Sequence, residues 1–138
     1  MNKKGFSIIE VIAAIALLSI GIFTIAKMFP FGLQISKSSE EITAAAMAAN
    51  EKMESLVALG YEGIGTGEIE AKQKISAGSF GDIYGLSRET MVSYVDGNLS
   101  EPIPVSDTGM KKIKITVYWM PSAGGEKNIE FNRLISKR

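Results

Sequence analysis

Glu10 is the single ionisable residue in an otherwise apolar run, FSIIEVIAAIALLSIGIFTIA, from Phe6 to Ala26. A carboxylate in a membrane-spanning stretch costs on the order of 2.5–3.5 kcal/mol on insertion scales and normally marks a partner or a pathway. Two readings accommodate it. Close to a membrane surface, Glu10 stays wet and favours the helix N-terminus electrostatically. Alternatively, a cut between Gly5 and Phe6 frees an α-amine four residues ahead of Glu10. A neighbouring copy could then offer its amine to this carboxylate, neutralising both charges inside an apolar helix bundle.

Little else in the chain is equipped for chemistry. The 138 residues contain neither cysteine nor histidine, which removes disulfides, zinc-thiolate sites, the thiol nucleophile and the usual general base at neutral pH. The glycine-rich run YEGIGTGEIEAKQ reads as a loop, and no Gly-Lys-Ser/Thr ending follows it to cradle a phosphate. The acidic residues between 40 and 54 are strung along a helical pattern that does not fold oxygens around one calcium ion, so they read as a solvated face. Asn98, Leu99 and Ser100 form a glycosylation-type triplet, a pattern short enough to arise by chance. Alternation along its strand assigns Trp119 to the core and Tyr118 to the solvent face. The basic cluster Lys111, Lys112, Lys114, Arg133, Lys137 and Arg138 reads as protection of sheet edges in preference to a nucleic-acid contact. No enzymatic activity, cofactor or metal site is expected, and nucleic acid is not an expected partner.

The elements that position Glu10 follow from hydropathy and charge. The twenty-one residues of this predominantly apolar run, at about 1.5 Å each, cover the roughly 30 Å of bilayer hydrocarbon. Lys3 and Lys4 precede them and mark that end as cytoplasmic, leaving the remainder extracytoplasmic. The stretch is too long for an ordinary secretory signal. The formal net charge is zero, with Lys and Arg totalling 15 and Asp and Glu 15. It is unevenly spread: residues 28–108 carry five basic and twelve acidic side chains, whereas residues 109–138 carry seven basic and two acidic.

KKGFSIIEVIAAIALLSIGIF resembles the leader and transmembrane segment of type IV pilins and of the pseudopilins of type II secretion. The likeness lies in the short basic leader, the Gly5–Phe6 junction, the carboxylate at the fifth position after it and the unbroken apolar helix. The resemblance implies cleavage after Gly5 and N-methylation of Phe6 by a prepilin peptidase, and a role for Glu10 in subunit registration during assembly. It further implies an inner-membrane precursor that passes into a pilus or pseudopilus, with other pilin subunits and a pilus or secretion platform membrane protein as partners. ITAAAMAANEKMESL and KIKITVYWMPSAGGEKNIEFNRLI are similar to PilV-like minor pilins and to the minor pseudopilin I of secretion systems.

The expected organisation is a leader at residues 1–5, a membrane and polymerisation helix at 6–27, its amphipathic continuation at 28–59, and a head of loop and sheet at 60–138. Ile35, Ile42, Ala45, Ala46, Ala49, Met53, Leu56 and Leu59 recur at helical spacing, against Lys37, Glu40, Glu41, Glu51, Lys52 and Glu54 on the other face. Pro30 is expected to bend or open this helix and Gly60 to stop it. Arg88–Val95, Lys111–Met120 and Asn128–Ile135 are rich in strand formers, the last two forming an antiparallel hairpin. The fold class is therefore α+β: a long N-terminal helix packed on a small antiparallel β-sheet, which is also what a pilin implies.

Overall fold

The computed structural model describes residues 7–75, 85–100, 106–121 and 124–137. Helix α1 spans Ile8–Ala58, and a four-residue turn of helix, α2, spans Gly60–Gly63. The strands are β1 (Gly67–Lys74), β2 (Ser87–Tyr94), β3 (Met110–Trp119) and β4 (Lys127–Ser136). They form one antiparallel sheet in the order β1-β2-β3-β4. The chain divides into two compact units, Met1–Ser38 and Ser39–Arg138. The second is called the head below.

The long α1 follows from composition. Alanine, leucine, methionine and glutamate dominate ITAAAMAANEKMESLVA, and all are strong helix formers. Gly60 ends the helix because its φ of +70° is the left-handed conformation that terminates helices and that side chains with a Cβ rarely adopt. Pro30 lies inside α1, with helical residues on both sides.

Within the head, one face of α1 meets the sheet through short side chains. Ala44, Ala45, Ala48 and Ala49, followed by Met53 and Leu56, pack against Val92, Ile113, Ile115, Val117 and Trp119. Alanines let the helix backbone approach closely, and the large strand residues fill the layer. Burying each of these strand side chains contributes roughly 1.5–3 kcal/mol. Trp119 is in this core, as its place in the alternation predicts.

The buried face includes the expected Ala45, Ala49, Met53 and Leu56 but is rotated at its margins. Ile42 is 43% exposed and Leu59 59%, whereas Glu41, expected on the wet side, is only 7% exposed. Ile35, in the other unit, is exposed as well. The line 41-45-48-49-53-56 follows the helical repeat, and small alanines, weak as hydropathy signals, define it. Tyr118 is half-buried on the side opposite Trp119, its hydroxyl donating to Glu89 at 2.8 Å and its ring covered by the Lys72 ammonium at 4.1 Å.

The predicted strands form within a residue of their expected ends, and β3 and β4 pair antiparallel over ten residues. The fourth strand is the departure: β1 occupies part of the run that reads as a loop. It is an edge strand, almost wholly exposed, and lacks the alternating apolar residues by which strands are recognised.

Candidate assembly surface

The first unit presents apolar side chains with nothing packed on them. Ile8 is 80% exposed, and Ile9, Leu17, Phe23, Ile25, Phe29 and Phe31 are each exposed as well. Its helix is long and apolar enough to cross a membrane by length and composition, and none of its most apolar window is buried. In water such a surface demands a cover of lipid or other apolar helices. Two hydroxyls within it are satisfied on the helix itself. Ser19 donates to the Ile15 carbonyl and Thr24 to the Ile20 carbonyl, both at 2.8 Å, so neither hydroxyl needs water in an apolar medium.

Glu10 lies in the first turn of α1, exposed, and no described residue bonds its carboxylate. Gly5 and Phe6, the expected processing junction, fall outside the described residues. Among the described residues no group of three or more acidic side chains is placed to hold a metal ion.

The head contains two polar clusters that the sequence does not announce. In the first, Glu70 on β1 receives two hydrogen bonds from Arg88, at 3.0 and 3.1 Å, one from the Thr90 hydroxyl at 3.1 Å and one from the Gln73 amide at 3.2 Å. Lys52 of α1 stands 3.4 Å away, and Arg88 also donates to the Ala48 carbonyl at 3.2 Å. Burial works to raise the Glu70 carboxyl, but the hydrogen bonds from Arg88 and Gln73 and the charges of Arg88 and Lys52 outweigh it, holding the group at about 2. One carboxylate thus joins the edge strand, its neighbour and the helix.

In the second cluster, Lys111 is 5% exposed, and its ammonium donates to the carbonyls of Tyr61 and Ile64 at 2.8 and 2.7 Å. It also lies over the Tyr61 ring at 4.3 Å. Lys111 is therefore not part of an exposed basic surface. It shares the parity of Ile113 and Ile115 and faces inward, held by the free carbonyls that follow α1. The Tyr61 hydroxyl donates to Asp107. Burial and this bond push the phenol up to about 12, and the same bond, with one from the Gly109 amide, holds Asp107 below its usual range.

Lys112 and Lys114 are half-buried and Arg133 and Lys137 exposed, while Arg138 falls outside the described residues. Lys137 is taken up by Glu62 at 2.9 Å and Lys114 by Glu130 at 3.7 Å, so two members of the expected basic cluster are ion-paired and a third, Lys111, is buried. The Asn98 triplet sits in a tight turn closed by the Asp96 carboxylate, which accepts from the Asn98 and Ser100 amides.

These observations identify a head whose described polar clusters join its own elements and a helix whose apolar surface is uncovered. Residues 1–26 match the family model of the prokaryotic N-terminal methylation motif. The match contains Gly5, Phe6 and Glu10 and most of the uncovered helix. No curated protein and no solved structure matches the chain. Motif, apolar helix and α+β architecture together support a membrane-anchored subunit of the type IV pilin or pseudopilin type.

Proposed function

We propose that this chain is a structural subunit of a type IV pilus-like filament, a PilV-like minor pilin, processed after Gly5 and N-methylated at Phe6 by a prepilin peptidase. Residues 1–5 are the leader, 6–27 the membrane and polymerisation helix, 28–59 its continuation and 60–138 the rest of the head. The observation that carries this reading is the uncovered apolar helix bearing one carboxylate at its start, inside the segment that matches the methylation motif.

Before cleavage the leader lies in the cytoplasm and the head outside the inner membrane. Cleavage gives Phe6 a free amine. In the filament, Glu10 pairs with the amine of a neighbouring subunit, which removes the cost of an isolated charge in apolar surroundings and fixes the stagger between subunits. Helices then replace lipid as the cover for Ile9, Leu17 and Phe23. Pro30 gives the helix a point of slack as it leaves the bilayer. A platform membrane protein and other pilins are the partners. A minor pseudopilin of type II secretion would use the same steps, and cargo secretion in place of a surface fibre distinguishes it.

Intact-mass and N-terminal peptide analysis of the protein from its native membrane, beside a Gly5→Ala variant, tests the proposal. A chain starting at methylated Phe6, absent in the variant, is expected. An uncut chain beginning at Met1 in a peptidase-active host would refute it and favour a single-pass anchor displaying a binding module.

A further inference from the structure

The two edges of the sheet are built differently. β1 is interrupted against β2 by register shifts between Glu68 and Glu70 and between Glu70 and Gln73. Irregularity of that kind turns an edge strand away from further pairing. β4 pairs with β3 without a shift from Lys127 to Ser136 and contains no proline, and among the described residues no strand lies beyond it. Its outward N–H and C=O groups form a template for another extended chain.

The side chains of β4 define which chain would fit. Alternation sets Lys127, Ile129, Phe131, Arg133 and Ile135 on one face, and Ile129, Phe131 and Ile135 pack against the core. Lys127 and Arg133 are exposed, and neither has a carboxylate partner among the described residues. On the opposite face, Glu130 is already engaged by Lys114 and Asn132. The edge therefore offers two free cations bracketing two half-buried apolar residues.

We infer that β4 accepts an extended segment of a different polypeptide, in which two acidic residues six positions apart bracket two apolar ones. Laid opposite Lys127, Ile129, Phe131 and Arg133, that segment extends the apolar layer by one strand and sets a carboxylate beside each cation. A second copy of β4 offers no such acidic bracket on its own Lys127–Arg133 face. The antiparallel register that matches Ile129 with Phe131 of the copy also sets Lys127 against its Arg133, and in-register parallel pairing stacks each cation on itself. Like charges directly opposite are destabilising. The inference goes beyond the filament reading and does not require processing after Gly5.

The test uses the full-length chain in its native membrane, with a photo-reactive residue replacing Asn128 or Asn132 on β4, or Glu68 on β1. Expected are adducts from the β4 positions to a different polypeptide, through a peptide of the pattern acidic-x-apolar-x-apolar-x-acidic, with none from position 68. Charge reversal in a Lys127→Glu, Arg133→Glu double variant should lower their yield about tenfold, because two favourable cross-strand pairs become repulsive. Trp119 fluorescence verifies that the double variant is folded. Deuterium exchange over residues 127–136 should also be slower in the membrane than in detergent-dispersed chain. Adducts between two copies of this chain, a cross-linked peptide without the acidic bracket, a yield indifferent to charge reversal, or equally fast exchange in both samples would each overturn the inference.

Discussion

Replacing Glu70 with Gln keeps size and shape while removing the charge on which Arg88, Lys52, Gln73 and Thr90 converge. The carboxyl ionises at about 2 in the folded chain, against an ordinary 4.5. One unit corresponds to about 1.4 kcal/mol, so keeping Glu70 charged at neutral pH contributes on the order of 3 kcal/mol to folding. Removing one member of a fully buried pair costs roughly 3–5 kcal/mol. Here Arg88 and Lys52 retain some water, their side chains being 13% and 25% exposed. Glu70→Gln is therefore expected to destabilise the chain by about 2–3 kcal/mol at neutral pH. Because the folded value lies below the unfolded one, the contribution is complete above about pH 4.5 and is lost as the pH falls towards 2. The gap between wild type and variant should close over the same window. Denaturant unfolding of the full-length chain in detergent micelles measures it, with Trp119, the only tryptophan and a core residue, as the fluorescent reporter. A neutral-pH difference below about 0.5 kcal/mol, the range of ordinary surface substitutions, or a gap that persists unchanged at acid pH would refute the reasoning.

Three further outcomes are expected. Lys111→Met strands the Tyr61 and Ile64 carbonyls and should cost roughly 2 kcal/mol in the same unfolding assay, since hydrogen bonds from charged donors are among the stronger ones. Ala49→Leu, at a position with no exposed surface, should cost about 1–3 kcal/mol by overpacking, whereas Ala58→Leu on the exposed side should stay within about 0.5 kcal/mol. Glu10→Ala should leave the unfolding of the head unchanged but reduce recovery of the protein in sheared filaments. Normal recovery would remove Glu10 from the assembly step.

What was legible in the sequence was whatever rested on apolar periodicity. The uninterrupted run after Phe6 and the alternation of Ile113, Ile115, Val117 and Trp119 announce α1 and β3 directly, and the glycine-bearing turn before Asn128 announces the hairpin with β4. β1 was hidden because its residues, GEIEAKQK, present no apolar face. It is held by backbone pairing and by Glu70, whose value depends on Arg88 being eighteen positions away in sequence and adjacent in space. Lys111 was misread for a related reason. Three lysines near one another suggest a surface, yet only parity along the strand separates the inward Lys111 from Lys112 and Lys114. Glu41 and Ile42 exchanged places because alanines define the buried face of the helix, and alanine carries little hydropathy. Glu10 stands out in the sequence, and the partner proposed for it, the amine of a neighbouring subunit, lies outside a single chain.

The alanine face has a mechanical side. In the proposed filament, tension that reaches the head acts along the part of α1 that lies within it, and so drives that helix to slide over the sheet more than to lift from it. Alanines interlock weakly and offer little resistance to sliding. The grip is concentrated in Met53 and Leu56 and in two polar pins, Arg88 on the Ala48 carbonyl and Lys52 on Glu70. A head built this way holds its helix as a smooth rod in a clamp with a few catches, and the load at which it slips is set by those catches more than by the area of the core.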